Sequence, residues 1–365
     1  LGRSKKFFKA KFLKRIKRFT VLFEKKGKVF KGYLPNPGRL WELLLLGRNL
    51  YLKENKVWAV ERDGEIISLN TQYTNKVAEK LINENIVEEL KGYKIEKKEY
   101  KIGRHRIDFL LNKNGKKFPL EVKSCTLFSS SLAMFPDAIT ERGRKHLEVL
   151  KEYRGGVLFI VNSSKPKYFL PDFHTDPEFS ETLYNLRKSI FIKAVSVKWE
   201  SDLKFKFVRE LEIPWKIYEV EARDKGSYLI IGFLKKCLNL KVSKKYYSFE
   251  SGWYIYVGSA MNSLKKRIER HLRVKKKLKW HIDYLIPHLE MKKSIPIQSS
   301  EKIECEISRD LEKISYGFIN GFGSSDCKCH SHLYFMENNP LKDEKFIGLV
   351  LKYRIERLIS LINIY

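Results

Sequence analysis

Asp108, Glu121 and Lys123 stand in two short apolar runs, RIDFLL and PLEVKS, on either side of Asn114-Gly115. Asn-Gly is the strongest two-residue hairpin signal, because a type I′ turn needs positive φ at both positions. A hairpin centred there faces Asp108 with Glu121, Ile107 with Val122, Phe109 with Leu120 and Leu111 with Phe118. Lys123 falls on the same face as Glu121. Like charges directly opposite, with β-carbons about 5 Å apart, repel. A divalent cation between them reverses that penalty. Mg²⁺ or Mn²⁺ suits two carboxylates completed by water and substrate phosphate, and would polarise the phosphate and lower the pKa of an attacking water. Lys123 is then placed to hold that water or to stabilise charge on the phosphate. The bland alternative is a solvated sheet edge where Arg106, Asp108, Glu121 and Lys123 form a salt-bridge grid.

Around this hairpin other polar residues recur at useful spacings. FPDAITERGRKHLEVLKEY predicts a helix entered at Pro136-Asp137, with an apolar stripe at Ile139, His146, Leu147 and Leu150. Asp137, Glu141 and Lys145 recur every fourth residue on another face. They are candidates for outer contacts to a cation or, for Lys145, to phosphate. In LPNPGRL, Pro35, Pro37 and Gly38 make a tight turn, and Arg39 on that turn is a candidate phosphate grip. Tyr33 and Trp41 flank it, as stacking residues or as core.

A second constellation lies downstream. The strand YIYV ends in Gly258 and a basic helix follows, capped by Asn262 or Ser263, with Leu264, Ile268 and Leu272 as its core stripe. Arg267 lies beside that stripe and can aim back across the strand end, where a guanidinium suits a bidentate phosphate grip. Tyr256 offers a phenol next to the same spot. Residues 261–280 hold nine Lys/Arg against one acid, Glu269. Lys265, Lys266, Arg270, Arg273, Lys275, Lys276 and Lys277 therefore read as a phosphate-tracking surface. Cys327, Cys329, His330 and His332 are all zinc-competent types. No distant CxxC or HxxxH completes a recognisable spacing, so the run reads as a Gly/Ser-rich loop with buried cysteines. Zinc on Cys327, Cys329 and His332 is the alternative, and would need Cys305 or His281. His281, in WHIDYL, is either a site residue or a satisfied core histidine.

The bulk numbers agree with a nucleic-acid partner. The chain has 365 residues, enough for two or three domains, and 43% hydrophobic content supports packed cores. Lys+Arg exceed Asp+Glu by 73 to 43, a formal charge of +30, which favours polyanions. No run approaches the roughly 20 apolar residues needed to span a bilayer, so no membrane partner is expected. The basic start lacks the long apolar core of an export signal. Five scattered cysteines argue against a disulfide framework and for a reducing cytoplasm.

Taken in order, RIKRF, YLPNPGRL, NTQYTNKVAEKLI, LKGY, RIDFLL, LEVKSCTL and FPDAITERGRKHL resemble the sugar fermentation stimulation protein A (SfsA) family, over about residues 15–213. The resemblance implies DNA binding, an OB-like barrel and a nuclease-like domain of the PD-(D/E)XK type, with Asp108, Glu121 and Lys123 as its site. GSY at 226–228 and YVG at 256–258, with YVGSAMN, KLKWHIDYL, ECE and GFGSSDCKCHSHL, resemble a GIY-YIG-like branch over about 217–340. That implies Tyr228 and Tyr256 as paired tyrosines, Arg267 as the helix arginine and Glu304 as a metal-binding glutamate, with Glu306 its rival. GSY replaces GIY, and the two tyrosines stand farther apart than in the usual hairpin. The expected fold is α/β in the α+β sense. It comprises a basic arm (1–14), an OB-like β-barrel (15–65), a PD-(D/E)XK nuclease-like domain (66–213), a GIY-YIG-like domain (217–340) and a C-terminal amphipathic helix (341–365). The expected activity is Mg²⁺-dependent phosphodiester hydrolysis on DNA, RNA not being excluded. The alternative is a regulatory binder that uses nuclease folds only to hold DNA.

Overall fold

The structure, a computed structural model, describes residues 7–242, 245–273, 275–362 and 364. The chain divides into two compact units, Leu1–Trp215 and Lys216–Tyr365.

The first unit opens with β1 (Phe8–Lys17), β2 (Thr20–Lys25), β3 (Lys28–Tyr33), β4 (Asn49–Lys53) and β5 (Lys56–Arg62). Their order is β3-β2-β1-β4-β5, and a parallel bridge from Tyr33 to Lys56 closes the ring. This is a five-stranded closed barrel consistent with an OB fold. Phe12, Val21, Phe23, Leu50, Leu52, Val57 and Val60 fill it. The expected basic arm needs correcting. From Phe8 onward it is the first barrel strand, because Ala10 and Phe12 alternate inward along it; residues 1–6 lie outside the described ones.

A continuous sheet carries the chain into the second layer. It contains β6 (Glu65–Ser68), β7 (Lys94–Ile102), β8 (His105–Lys113), β9 (Lys116–Cys125), β12 (Gly156–Val161), β14 (Phe191–Trp199) and β15 (Phe205–Leu211). The order is β6-β14-β12-β9-β8-β7, with β15 on β14. β10 (Leu127–Ser129), β11 (Leu132–Phe135) and β13 (Tyr168–Pro171) make a separate small sheet. β12, GVLFIV, is buried along its whole length and runs parallel to both neighbours, as expected for a strand covered on both faces. Helix α1 (Thr71–Asn83) packs Val77, Ala78 and Leu81 with Leu120, Val122, Leu158 and Ile160. Helices α2 (Glu141–Glu152) and α3 (Pro177–Leu186) pack Leu147, Leu150 and Leu183 with Val157, Phe159 and Val161 on the other face. Period-two alternation therefore sends Glu121 and Lys123 toward α2.

The β8–β9 hairpin turns where the sequence says. Asn114 and Gly115 both have positive φ, and Phe109 pairs with Leu120 and Leu111 with Phe118. The pairing stops there. Asp108 does not sit opposite Glu121 in a ladder; its Oδ2 accepts the Val122 N–H at 2.8 Å. The carboxylate replaces the main chain of β8 as the acceptor, and the strands part around it.

The second unit is entered through α4 (Trp215–Glu221). Its sheet has the order β20-β16-β19-β22-β21, formed by β16 (Gly226–Leu234), β19 (Gly252–Ala260), β20 (Leu289–Gln298), β21 (Gly317–Phe318) and β22 (Leu333–Met336). Strands β17 (Leu238–Val242) and β18 (Lys245–Phe249) form a separate hairpin; this insertion is what lengthens the span between the two tyrosines. Helices α5 (Leu264–Leu272), α6 (His281–Leu285), α7 (Glu304–Glu312), α8 (Glu344–Leu351) and α9 (Arg357–Ile362) complete it. The expected C-terminal helix is interrupted: a π-helical turn over Lys352–Glu356 separates α8 from α9. Among the described residues no helix is long and apolar enough to cross a membrane.

Candidate active site

A cleft of about 380 Å³ in the first unit is lined by Asp108, Glu121 and Lys123, together with Asn36, Gly38, Asn75 and Asp137. Asp108 is half-buried, and its Oδ1 accepts from Asn75 Nδ2 at 2.8 Å. Burial, and then the neighbouring Glu121 charge, push its pKa up to about 6. Glu121 is 5% exposed. Burial pushes it up too, but Lys123 and His146 outweigh this and hold it at about 2. Both act on the same oxygen: Oε1 lies 2.5 Å from Lys123 Nζ and 2.8 Å from His146 Nδ1. Oε2 is buried with no hydrogen-bond partner among the described residues. The pair is thus neither a solvated edge nor a satisfied salt bridge; Arg106 turns away to exposed Glu99.

The other expected residues of this region separate. Helix α2 begins at Glu141, capped by Thr140, so Asp137 lies in the preceding loop and shares no helix face with Glu141 and Lys145. Those two form an exposed pair at 2.6 Å and do not line the cleft. Ile139, expected in the core stripe, is 72% exposed. Asp137 instead accepts the Leu40 N–H at 3.3 Å, and burial raises its pKa. It packs so closely on Gly38 that a β-carbon there would collide with its carboxylate. Arg15 clamps the same loop by donating to the carbonyls of Asn36, Gly38 and Arg39, leaving the Arg39 side chain exposed. Tyr33 is exposed and Trp41 half-buried. His146, read from the sequence as part of an apolar stripe, is the residue that was missed. Its only signal was an imidazole on the inward face of α2.

In the second unit Tyr228 pairs with Gly258 across the sheet. A β-carbon at Gly258 would strike the Tyr228 ring and hydroxyl. Tyr228 and Tyr256 have ring centroids 6.4 Å apart, and burial raises both pKa values, keeping the phenols neutral. Tyr228 Oη meets His271 Nε2 at 2.9 Å, and His271 Nδ1 meets Asp283 Oδ1 at 2.9 Å. Arg267 lies over the Trp280 ring at 4.3 Å. Glu304, the first residue of α7, is buried and accepts from Ser259 Oγ at 2.5 Å, whereas Glu306 is exposed. His281 packs its ring on Phe322; His271, one turn after Arg267, is the histidine at the tyrosines. The basic stretch divides as well. Lys265, Lys266, Arg273, Lys275 and Lys277 are exposed. Lys276 and Arg270 instead hold buried Asp283, at 3.1 and 3.0 Å, and are no part of a free surface. Ser263 holds the N-cap position of α5 but its side chain makes no cap hydrogen bond, and Asp224 accepts the Lys265 N–H instead. Cys327, Cys329 and His332 converge with Cys305, while His330 turns out to Glu312.

Comparison with known proteins covers both units. Residues 13–69 match the SfsA N-terminal OB domain and residues 72–202 the sugar fermentation stimulation protein RE domain. Residues 227–353 match DUF123, a domain of unknown function. A sugar fermentation stimulation protein homolog of Methanothermobacter thermautotrophicus is 39% identical over 186 residues, covering 47% of this chain and 78% of that protein. One from Methanosphaera stadtmanae is 38% identical over 214 residues, 53% of this chain and 88% of that protein. The solved structure of Pyrococcus furiosus SfsA in complex with Ca²⁺ superposes with a TM-score of 0.54 at 28% identity, covering 57% of this chain and 95% of that one.

Proposed function

The chain belongs to the sugar fermentation stimulation protein (SfsA) family, and from that premise we propose that it binds DNA and hydrolyses phosphodiester bonds with a divalent cation at Asp108 and Glu121. The observation that carries the reading is Glu121 Oε2, a buried oxygen without a hydrogen-bond partner among the described residues in a cleft shared with Asp108. Mg²⁺ and Mn²⁺ are hard cations that take such oxygens, so the donor set fits; the Ca²⁺ of the Pyrococcus complex supports it. When bound, the cation supplies charge neutralisation at phosphate and a more acidic water.

The chain's own residues do the rest. Asn75 and the Val122 N–H fix the Asp108 carboxylate from two sides. His146 and Lys123 fix Glu121 through Oε1 and leave Oε2 turned elsewhere. Lys123, 18% exposed on the cleft wall, is positioned to meet an incoming phosphate. For the polymer, exposed Phe19, Phe30 and Tyr33 stand on the barrel among Arg18, Lys28 and Lys31, the aromatic and cationic mixture that stacks bases and tracks a backbone. Arg18 also lines the cleft.

The test is cleavage of supercoiled plasmid and single-stranded oligonucleotides with Mg²⁺ or Mn²⁺. Asp108→Ala and Glu121→Ala are expected to abolish cleavage while retaining DNA affinity. Wild-type protein that binds DNA and cuts no nucleic acid with either ion would leave the binding-only reading in place.

A further inference from the structure

In the second unit, three side chains of one short loop meet a fourth from a helix more than twenty residues earlier. Cys305 Sγ, Cys327 Sγ, Cys329 Sγ and a ring nitrogen of His332 all lie within 4.8 Å of one another. We propose that they form a structural zinc site of the Cys₃His type, a proposal independent of the carboxylate site in the first unit.

The geometry suits this ion. Bond lengths of about 2.3 Å to sulfur and 2.0 Å to nitrogen at a tetrahedral angle place S and N about 3.5 Å apart; Cys327 Sγ and His332 Nε2 are 3.4 Å apart. Three thiols with one imidazole are soft donors that select zinc over Mg²⁺ or Ca²⁺. Three of the five cysteines in the chain are gathered here, while Cys125 is buried elsewhere and Cys237 is exposed. His330, two residues from His332, is turned out to Glu312 at 2.9 Å and stacks on Phe318, so the loop sorts its two histidines.

The local fold explains why a metal belongs there. Cys305 sits in the first turn of α7 and His332 immediately precedes β22. Cys327 and Cys329 lie in the loop between β21 and β22, which has no helix or strand of its own. An ion joining all four would fasten that loop to α7. It would also orient the neighbouring site. His332 Nδ1 lies 3.2 Å from Glu304 Oε1 without making an aligned hydrogen bond among the described residues; zinc on Nε2 would fix the tautomer that carries its proton on Nδ1, the side on which Glu304 stands. A carboxylate behind a metal-bound histidine is the usual supporting arrangement.

The experiment uses the full chain, purified reduced and without added metal. Elemental analysis is expected to give about one zinc per chain. After chelation, Co²⁺ titration should give the visible d–d bands of a tetrahedral thiolate site, ending at about one equivalent. Cys329→Ala should lose both signals and His330→Ala should keep both. If Cys329→Ala fails to fold, the cobalt spectrum of the wild-type chain decides. Zinc content near zero with no cobalt band overturns the proposal, as does finding these cysteines joined in a disulfide.

Discussion

If Asp108 is a cation ligand, its raised pKa must appear in the cation affinity. Burial and Glu121 put Asp108 at about 6, while Lys123 and His146, against burial, hold Glu121 at about 2. Between pH 5 and 7 Asp108 is therefore the carboxylate of the pair that changes charge. A cation that binds only the ionised form sees its apparent Kd multiplied by one plus the ratio of protonated to ionised Asp108. That factor is about 1.1 at pH 7, about 2 at pH 6 and about 11 at pH 5, a weakening of roughly 1.4 kcal/mol from pH 7 to 5. An aspartate at its ordinary pKa of about 3.9 would change affinity by less than about 10% over the same range. Calorimetric titration with Mn²⁺ in two buffers of different ionisation enthalpy measures both the affinity and the protons released, expected to be about 0.9 per site at pH 5 and about 0.1 at pH 7. The profile must persist in His146→Gln and vanish in Asp108→Asn. A wild-type affinity that stays flat from pH 5 to 7 refutes the assignment of Asp108 as a ligand.

Three further outcomes follow from the same geometry. Glu42 is 1% exposed, neither carboxylate oxygen has a hydrogen-bond partner among the described residues, and burial raises its pKa to about 7. Its protonated form favours the fold, so stability should fall as pH rises from about 4.5 to about 7, by on the order of 3 kcal/mol. Glu42→Gln should flatten that slope in urea unfolding at pH 5 and 8, and parallel curves for the two proteins would sink the idea. Replacing Lys265, Lys266, Arg273 and Lys275 together by Ala should lower the slope of log affinity for duplex DNA against log salt by about 3–4; an unchanged slope places the DNA elsewhere. Gly258→Ala should destabilise the second unit by about 1–3 kcal/mol, because the added methyl overlaps the Tyr228 ring, as read by the thermal midpoint of the full chain.

What the sequence made legible follows periodicity and turn chemistry. The Asn114-Gly115 turn, the pairing of Phe109 with Leu120 and the buried run GVLFIV are local patterns, and the fold obeys them. What it hid depends on long-range packing. His146 is an inward residue of α2 whose meaning appears only when that helix crosses β9. Asp137 looked like the first residue of a helix, yet it is drawn against Gly38 in the loop that joins β3 to β4 of the barrel. Cys305, which the sequence offers only as one of two possible helpers beside His281, completes the loop's cysteine cluster from helix α7, and no spacing rule joins residues 305 and 327. Lys276 and Arg270 looked like surface charge because a lysine-rich run carries no mark of which side chains meet Asp283.

Glu121, Glu304 and Asp283 are buried carboxylates that each face a histidine, and counting their acceptor sites separates anchors from candidate ligands. A carboxylate offers about four lone-pair positions. Asp283 is fully engaged by His271, Arg270, Lys276 and the N–H groups of Lys279 and Trp280. Those donors overcome its burial and hold its pKa far below the usual range. It has nothing left for a cation and serves to orient His271 against Tyr228. Glu304 is intermediate, with Ser259 on one oxygen and His332 near the other. Glu121 stands at the opposite end: both donors crowd one oxygen and the second is bare and buried. Leaving such an oxygen unmatched in the apo protein is costly, on the order of 1–3 kcal/mol. A divalent cation removes that cost on binding, whereas at Asp283 it would have to displace donors already in place. A carboxylate beside a histidine is thus suited to different work according to how many of its lone pairs the fold has already used.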